Sequence, residues 1–197
     1  APIGIVTGHG NQRAYVNCWV TRRLGVIDLT MQAQTTTVEA SNPPADPEAI
    51  SRNRGLRFFF TGRARWSDNA WSDCASCHPD GLTDNITWSF AAGPRQSTSL
   101  DGSFSKGASQ VQRIFNWTAI FDEIHDFERN TRGVSGGLGA VTQSTSCGDL
   151  AQETPSALPG PPDGLLGTPV KEIQDTQADN CTTDWDDIET WIKTVRP

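Results

Sequence analysis

From Pro2 to Ala40 the chain alternates apolar and polar residues in short runs: IGIVT, RAYVNCWV, LGVIDLT and AQTTTVEA, with GHGN and TRR among the breaks. Short β-branched or aromatic runs bounded by turn residues read as strands, and four in a row form a meander. At SNPPADP (Ser41 to Pro47) the pattern stops. Asp46 can cap and Pro47 can open a helix, which the sequence predicts through EAISRNRGLRFFF. Further on, Trp117, Ile120, Phe121, Ile124 and Phe127 fall on one face at helical spacing and predict a helix over NWTAIFDEIHDFERN. QVQRIFNW predicts a shorter one, and Asp122, Glu123 and Glu128 then form a solvated face. Near the end, Thr183 and Asp186 stand at capping-box spacing, with Asp in place of the usual Glu or Gln. Trp185, Ile188, Trp191, Ile192 and Val195 make the buried stripe of a closing helix. Residues 79–107 and most of 131–182, rich in Gly, Ser, Asp, Thr and Pro, read as loops. The pattern divides the chain into a β-meander over 1–42 and a second domain over 43–197.

Composition narrows the classes. The 197 residues carry a net charge of −7 and are 36% hydrophobic. An acidic surface repels nucleic acid and anionic lipid and suits a basic partner. No run approaches the roughly 20 apolar residues that a membrane-spanning helix requires. No basic stretch followed by an apolar one opens the sequence, so an export signal is expected to have been removed or to lie upstream.

The strongest chemical signal is DCASCHPDG, Asp73 to Gly81. Two cysteines two residues apart, followed at once by histidine, suit covalent haem attachment. The thiols add across the porphyrin vinyl groups, and the adjoining imidazole lies under the iron. Cys74 and Cys77 are therefore assigned to thioether links and His78 to the iron. A zinc site would require more ligands, but His9, His125 and the other cysteines are scattered. A thioredoxin-like thiol pair would require a βαβ setting, which the pattern does not offer. Of the remaining cysteines, Cys147 and Cys181 both lie in the loop-rich C-terminal part, where a disulfide would restrict the unfolded chain. The alternative is two free buried thiols. Cys18 is expected as a small buried hydrophobe. Haem attachment and the bridge both imply an oxidising compartment, periplasmic or extracellular.

With that motif, residues 43–197 resemble the haem domains of bacterial cytochrome c peroxidase-like proteins, through RGLRFFF, CASCHPDGLTD, GPRQSTSLDG and IFDEIHDFE. The resemblance implies a mainly α fold with long loops (a cytochrome c fold), here joined to a small N-terminal antiparallel sheet. It also implies that the closing helix packs on the first. Those peroxidases carry two haems, whereas this chain has one CxxCH. The N-terminal segment resembles one blade of a YVTN-type β-propeller, through Pro2/Gly4, Arg13-Ala14-Tyr15-Val16 and Val26-Ile27-Asp28. One blade cannot close a propeller, so the sheet either belongs to a larger assembly or decorates the haem domain.

A sixth iron ligand is usually Met or His. Met31 is the single methionine and lies at the end of the sheet region. His125 falls on the flank of its predicted helix, and His9 sits in a hairpin turn. The open choices are His125, Met31 or an unliganded position. Arg95 is a candidate partner for a haem propionate, and Trp88 with Phe90 for a wall against the ring, ordinary surface and core roles being the alternatives. Asp80, Asp84 and Asn85 have the oxygen chemistry of a calcium loop and equally that of turns. The expected function is an exported monohaem c-type cytochrome that moves single electrons, docking a basic redox partner. Its rivals are a peroxidase-like or ligand-binding haem with an open distal site, and a haem-bearing module of a larger assembly.

Overall fold

The computed structural model describes residues 2–62, 66–67, 71–90, 93–107, 109–119, 121–137, 141–142, 170–171 and 184–196. Cys147 and Cys181, and with them the expected bridge, lie outside the described residues.

The alternating N-terminal runs form strands β1 (Pro2–Thr7), β2 (Arg13–Cys18), β3 (Arg23–Asp28) and β4 (Ala33–Glu39). They pair antiparallel in chain order, as a meander. Tyr15 stands opposite Val6 on one side and Val26 on the other. All three hairpin turns require a left-handed residue, supplied by Asn11 (φ 53°), Arg22 (φ 55°) and Gln32 (φ 51°). The sheet is thinly covered. Ala14 and Val26 are buried, as is Val20 in the β2–β3 turn, while β1 and β4 are exposed along their whole length.

Helix α1 (Pro47–Phe59) starts where the sequence places it: the Asp46 carboxylate accepts from the Ala49 N–H at 2.9 Å, with Pro47 in the first turn. The closing helix runs over Asp184–Ile192, and its apolar stripe Trp185, Ile188, Trp191, Ile192 and Val195 is buried as expected. These two helices cross so closely that a Cβ on Gly55 would stand 1.8 Å from the Asp187 carbonyl oxygen. Ser51 Oγ donates to Asp187 Oδ1 at 2.6 Å and Arg54 pairs with its Oδ2 at 3.2 Å, which fixes the crossing from the polar side. On the apolar side Phe59 stacks on Trp191 with ring centroids 4.2 Å apart. Phe58 meets Trp66, and Trp66 meets Trp185. The sheet joins this core through its β2–β3 turn, where Trp19 sets its edge against Phe60.

The architecture is a small α+β fold, which corrects the mainly α expectation. Part of the loop region is a hairpin, β5 (Thr87–Phe90) with β6 (Gly93–Gln96), and two short strands, β7 (Val141–Thr142) and β8 (Val170–Lys171), pair in parallel. The helix expected over 116–130 is replaced, in its first half, by a tight turn. Asn116 (φ 71°) and Ala119 (φ 52°) are left-handed, which an α-helix does not admit, and Phe115 N–H bonds the Phe121 carbonyl at 2.7 Å. Phe115 and Phe121 both set their rings against Phe127 at the closed end, while Trp117 is 68% exposed. The 3/4 spacing thus serves a turn whose ends pack, not a helical face. Helix occurs only after a 3-10 turn at Ile124–Phe127, over Glu128–Ser135. QVQRIFNW forms no helix either: Gln112 bridges to Phe104, and the stretch ends in the turn at Asn116. Glu128, expected in solvent, is 7% exposed; it accepts from Arg132 Nε at 2.6 Å and from Trp185 Nε1 at 2.8 Å. We label the four-residue helix Cys74–Cys77 α2, Glu128–Ser135 α3 and the closing helix α4.

Candidate functional site

The CxxCH stretch folds as α2 because its own flanks cap it. The Asp73 carboxylate accepts from Ser76 N–H at 2.8 Å, and Ser76 Oγ returns a bond to Asp73 N–H at 3.1 Å. One helical turn sets Cys74 and Cys77 three residues apart on one side. His78 leaves the helix (φ −121°, ψ 63°), and Pro79 begins a 3-10 turn that ends at Gly81. Gly81 is left-handed (φ 78°), and a Cβ there would come within 2.7 Å of Val195. This glycine seats the post-motif turn against the C-terminal end of α4, so the helix pair positions the motif.

His78 is half-buried, and burial pulls its pKa below the ordinary imidazole value, although the Leu82 and Thr98 backbones and the Asp84 carboxylate pull the other way. Its Nδ1 lies 3.1 Å from the Leu82 carbonyl oxygen. A carbonyl only accepts, so Nδ1 carries the proton, and in the neutral ring Nε2 holds the lone pair. That is the orienting bond expected behind a metal-ligating histidine. Phe59 lies 6.4 Å from the imidazole, between centroids, and backs it with the core.

Cys74 and Cys77 are free thiols that form no bond with each other. Burial, aided by Asp73, pushes Cys74 up to about 12. Burial, then Asp84 and Asp73, also raises Cys77. Thiol–disulfide enzymes depress this pKa instead, so the pair lacks the electrostatics of a redox dithiol. No group of three or more His, Cys, Asp or Glu side chains gathers as a metal site among the described residues. Zinc requires such a group; a porphyrin iron, which brings four nitrogens with it, does not.

Trp88, Phe90 and Arg95 share one face of the β5–β6 hairpin: Trp88 stands opposite Arg95, and Phe90 lies two residues on. Trp88 and Phe90 line a groove with Cys77, Trp71 and Val134. Trp88 is pinned by its Nε1 donating to Asp84 Oδ2 at 2.7 Å, and Ser97 Oγ donates to Asp84 Oδ1 at 3.0 Å. With Ile86 N–H on the same carboxylate, Asp84 serves a turn. Its pKa is lowered: desolvation opposes the shift, but these hydrogen bonds, together with one from its own backbone N–H, outweigh it. Arg95 is exposed and folds over Gly93, with Nη1 on the Pro94 carbonyl. Two thiols, an imidazole and an apolar wall are therefore gathered here, while the groove itself, about 30 Å³, is far narrower than a porphyrin.

The two protein candidates for a sixth ligand sit elsewhere. Met31 lies on the β3–β4 turn, 64% exposed. His125 Nε2 faces Asp186 Oδ1 at 3.6 Å, beside Trp185 at the start of α4. His9 is an exposed turn residue, and Cys18 is half-buried rather than part of the core. The Leu82 carbonyl had no sequence signal, being backbone. Phe59 was visible only as one member of an apolar triplet.

No protein-family model matches the chain, and no curated protein or solved structure matches it either.

Proposed function

We propose that the protein is a monohaem c-type cytochrome, exported to an oxidising compartment, that passes single electrons between redox partners. The observation that carries this reading is the conjunction at α2: two thiols one turn apart, then an imidazole oriented through Nδ1 by the Leu82 carbonyl. Haem, when bound, supplies the one-electron couple. The chain's own residues do the rest. Cys74 and Cys77 would tether the ring and His78 would hold the iron. Phe59 and the Leu82 carbonyl limit rotation of the imidazole. Trp88 and Phe90 would exclude water from one side, and Arg95 is the cation within reach of that hairpin face for propionate carboxylates. An acidic chain, net charge −7, suits a basic redox partner. Among the described residues no helix is long and apolar enough to cross a membrane.

Production with a cytochrome c maturation system, followed by denatured intact mass and a reduced-minus-oxidised spectrum, tests the reading. A mass one haem above the polypeptide, lost in Cys74→Ser/Cys77→Ser, is expected; a bare polypeptide mass refutes it. The positions of Met31 and His125 favour a second reading, a small-ligand-binding haem with an open distal position. A reduced spectrum altered by carbon monoxide would select it over the pure carrier. The exposed β1 edge, with Ile5 at 69% and Val6 at 63%, favours a further role for the sheet as the joint to a larger assembly. Gel filtration of native material checks that role.

A further inference from the structure

Side chains alternate along a strand, so Arg13, Tyr15 and Asn17 of β2 stand on one face of the N-terminal sheet and Ala14, Val16 and Cys18 on the other. The two faces differ in their surroundings. On the Ala14 face, Arg23 and Glu39 form a cross-strand ion pair, Nε to Oε1 at 2.8 Å. Both line, with Arg22 of the β2–β3 turn and with Asn53 and Arg57 of α1, a cavity of about 350 Å³. That face thus turns one end toward the helix pair. The Tyr15 face points the other way. The register sets Val6, Tyr15 and Val26 in one row across it, and Leu24 and Val38 in the next. The outer strands leave this patch open, with Val6 63% and Val38 50% exposed. A contiguous apolar patch of this kind marks an interaction surface.

Charge identifies what fits it. The only charged side chains on this face are Arg13 and Asp28, opposite each other at one end of β2 and β3. Asp28 Oδ1 accepts from the Thr30 and Met31 N–H groups at 2.8 and 2.9 Å, and neither Arg13 nor Asp28 has an ion-pair partner among the described residues. A two-fold axis running along the strands, between β2 and β3, lays β2 over β3 of a second copy. Arg13 of each copy then meets Asp28 of the other, and Tyr15 meets the smaller Val26. The rest of the chain disfavours other contacts between copies. Residues 1–40 carry Arg13, Arg22 and Arg23 against Asp28 and Glu39, a net +1, which leaves −8 on residues 41–197. Two such acidic bodies repel each other, and the sheet is where that repulsion is absent.

We propose that the Tyr15 face pairs with the same face of a second copy, forming a two-fold symmetric sandwich of two sheets. The inference names a partner for the joint suggested above and does not rest on the haem reading. Four strands about 4.8 Å apart, each about 20 Å long, give a face of roughly 400 Å². Two such faces reach only the low end of specific interfaces, so the dimer should dissociate in the micromolar range.

Sedimentation velocity of the full-length protein from about 1 µM to about 1 mM tests it. The expected result is a reversible change from monomer to dimer mass. Val6→Lys and Ile5→Lys separate the faces, since these neighbours on β1 are both exposed and point to opposite sides. Val6→Lys should raise the dissociation constant about tenfold or more, and Ile5→Lys should leave it unchanged. Arg13→Glu sets like charges against Asp28 of the second copy and should weaken the dimer by a similar factor; it decides the matter should Val6→Lys fail to fold. A monomer at every concentration, equal effects of the two lysines, a loss confined to Ile5→Lys, or open-ended growth beyond the dimer would overturn the proposal. A purified monomer that elutes in a larger complex from native material would overturn it too, while keeping the sheet as a joint to a different protein. A haem-bearing monomer would overturn it and leave the cytochrome reading standing.

Discussion

The N-terminal sheet and the helix pair on which the CxxCH motif sits are held together by different means. The sheet has an antiparallel hydrogen-bond ladder, shifted in register at Pro2/Gly4 and Val26/Ile27, and almost no cover: strands β1 and β4 expose both faces. The α1–α4 pair buries a continuous aromatic cluster, and its crossing leaves no room for one added carbon at Gly55. Ladder bonds exchange with water at small net gain, whereas buried apolar area has no such competitor. Stability should therefore concentrate in the helix pair and tolerance in the sheet, apart from the turn that touches α1. The motif, seated against α4 through Gly81 and Val195, shares the stable half.

Substitutions matched across the two regions give the sharpest break. Phe58→Ala removes a ring that is 2% exposed and should cost about 3–5 kcal/mol by chemical denaturation. Ile5→Ala, at a residue 69% exposed, should stay within about 0.5 kcal/mol. Equal losses would mean that the sheet face is covered in the folded protein. Next in size, Gly55→Ala drives a Cβ into the Asp187 backbone, which cannot swing aside as a side chain can. It should cost about 3 kcal/mol, while Gly4→Ala in β1, with open space around it, should be nearly silent. Glu128→Gln disturbs the buried bonds to Trp185 and Arg132; a loss of about 1–3 kcal/mol is expected, with a change in tryptophan emission. Asp46→Ala removes the α1 cap at about 1 kcal/mol, which thermal melts resolve.

The smallest effect is a pH response of the β5–β6 hairpin. The folded Asp84 pKa lies below its ordinary value, so the stabilisation is present above the unfolded pKa near 3.8 and is lost as pH falls through the folded value. Below pH 4 the bond from Trp88 Nε1 should weaken and its emission shift, and Asp84→Asn should abolish that response. A response that persists in Asp84→Asn would refute its assignment to this carboxylate.

Patterns of period two and capping chemistry decided β1 to β4, the start of α1 and the stripe of α4, because each depends on residues close in sequence. The one-turn spacing of Cys74 and Cys77 and the step to His78 are local in the same way, and α2 keeps them together. Tertiary structure alone decided the rest. Trp117 to Phe127 has helical spacing, yet left-handed Asn116 and Ala119 turn the chain there, and the phenylalanines reach the core from a loop. Glu128 is buried because Trp185, 57 residues later, presents an N–H to it. The Arg22 cavity exists only because a hairpin turn meets a helix 31 residues further on. Local sequence fixes backbone preference and donor type, but burial and partnership depend on segments distant along the chain, and those contacts settle which preference prevails.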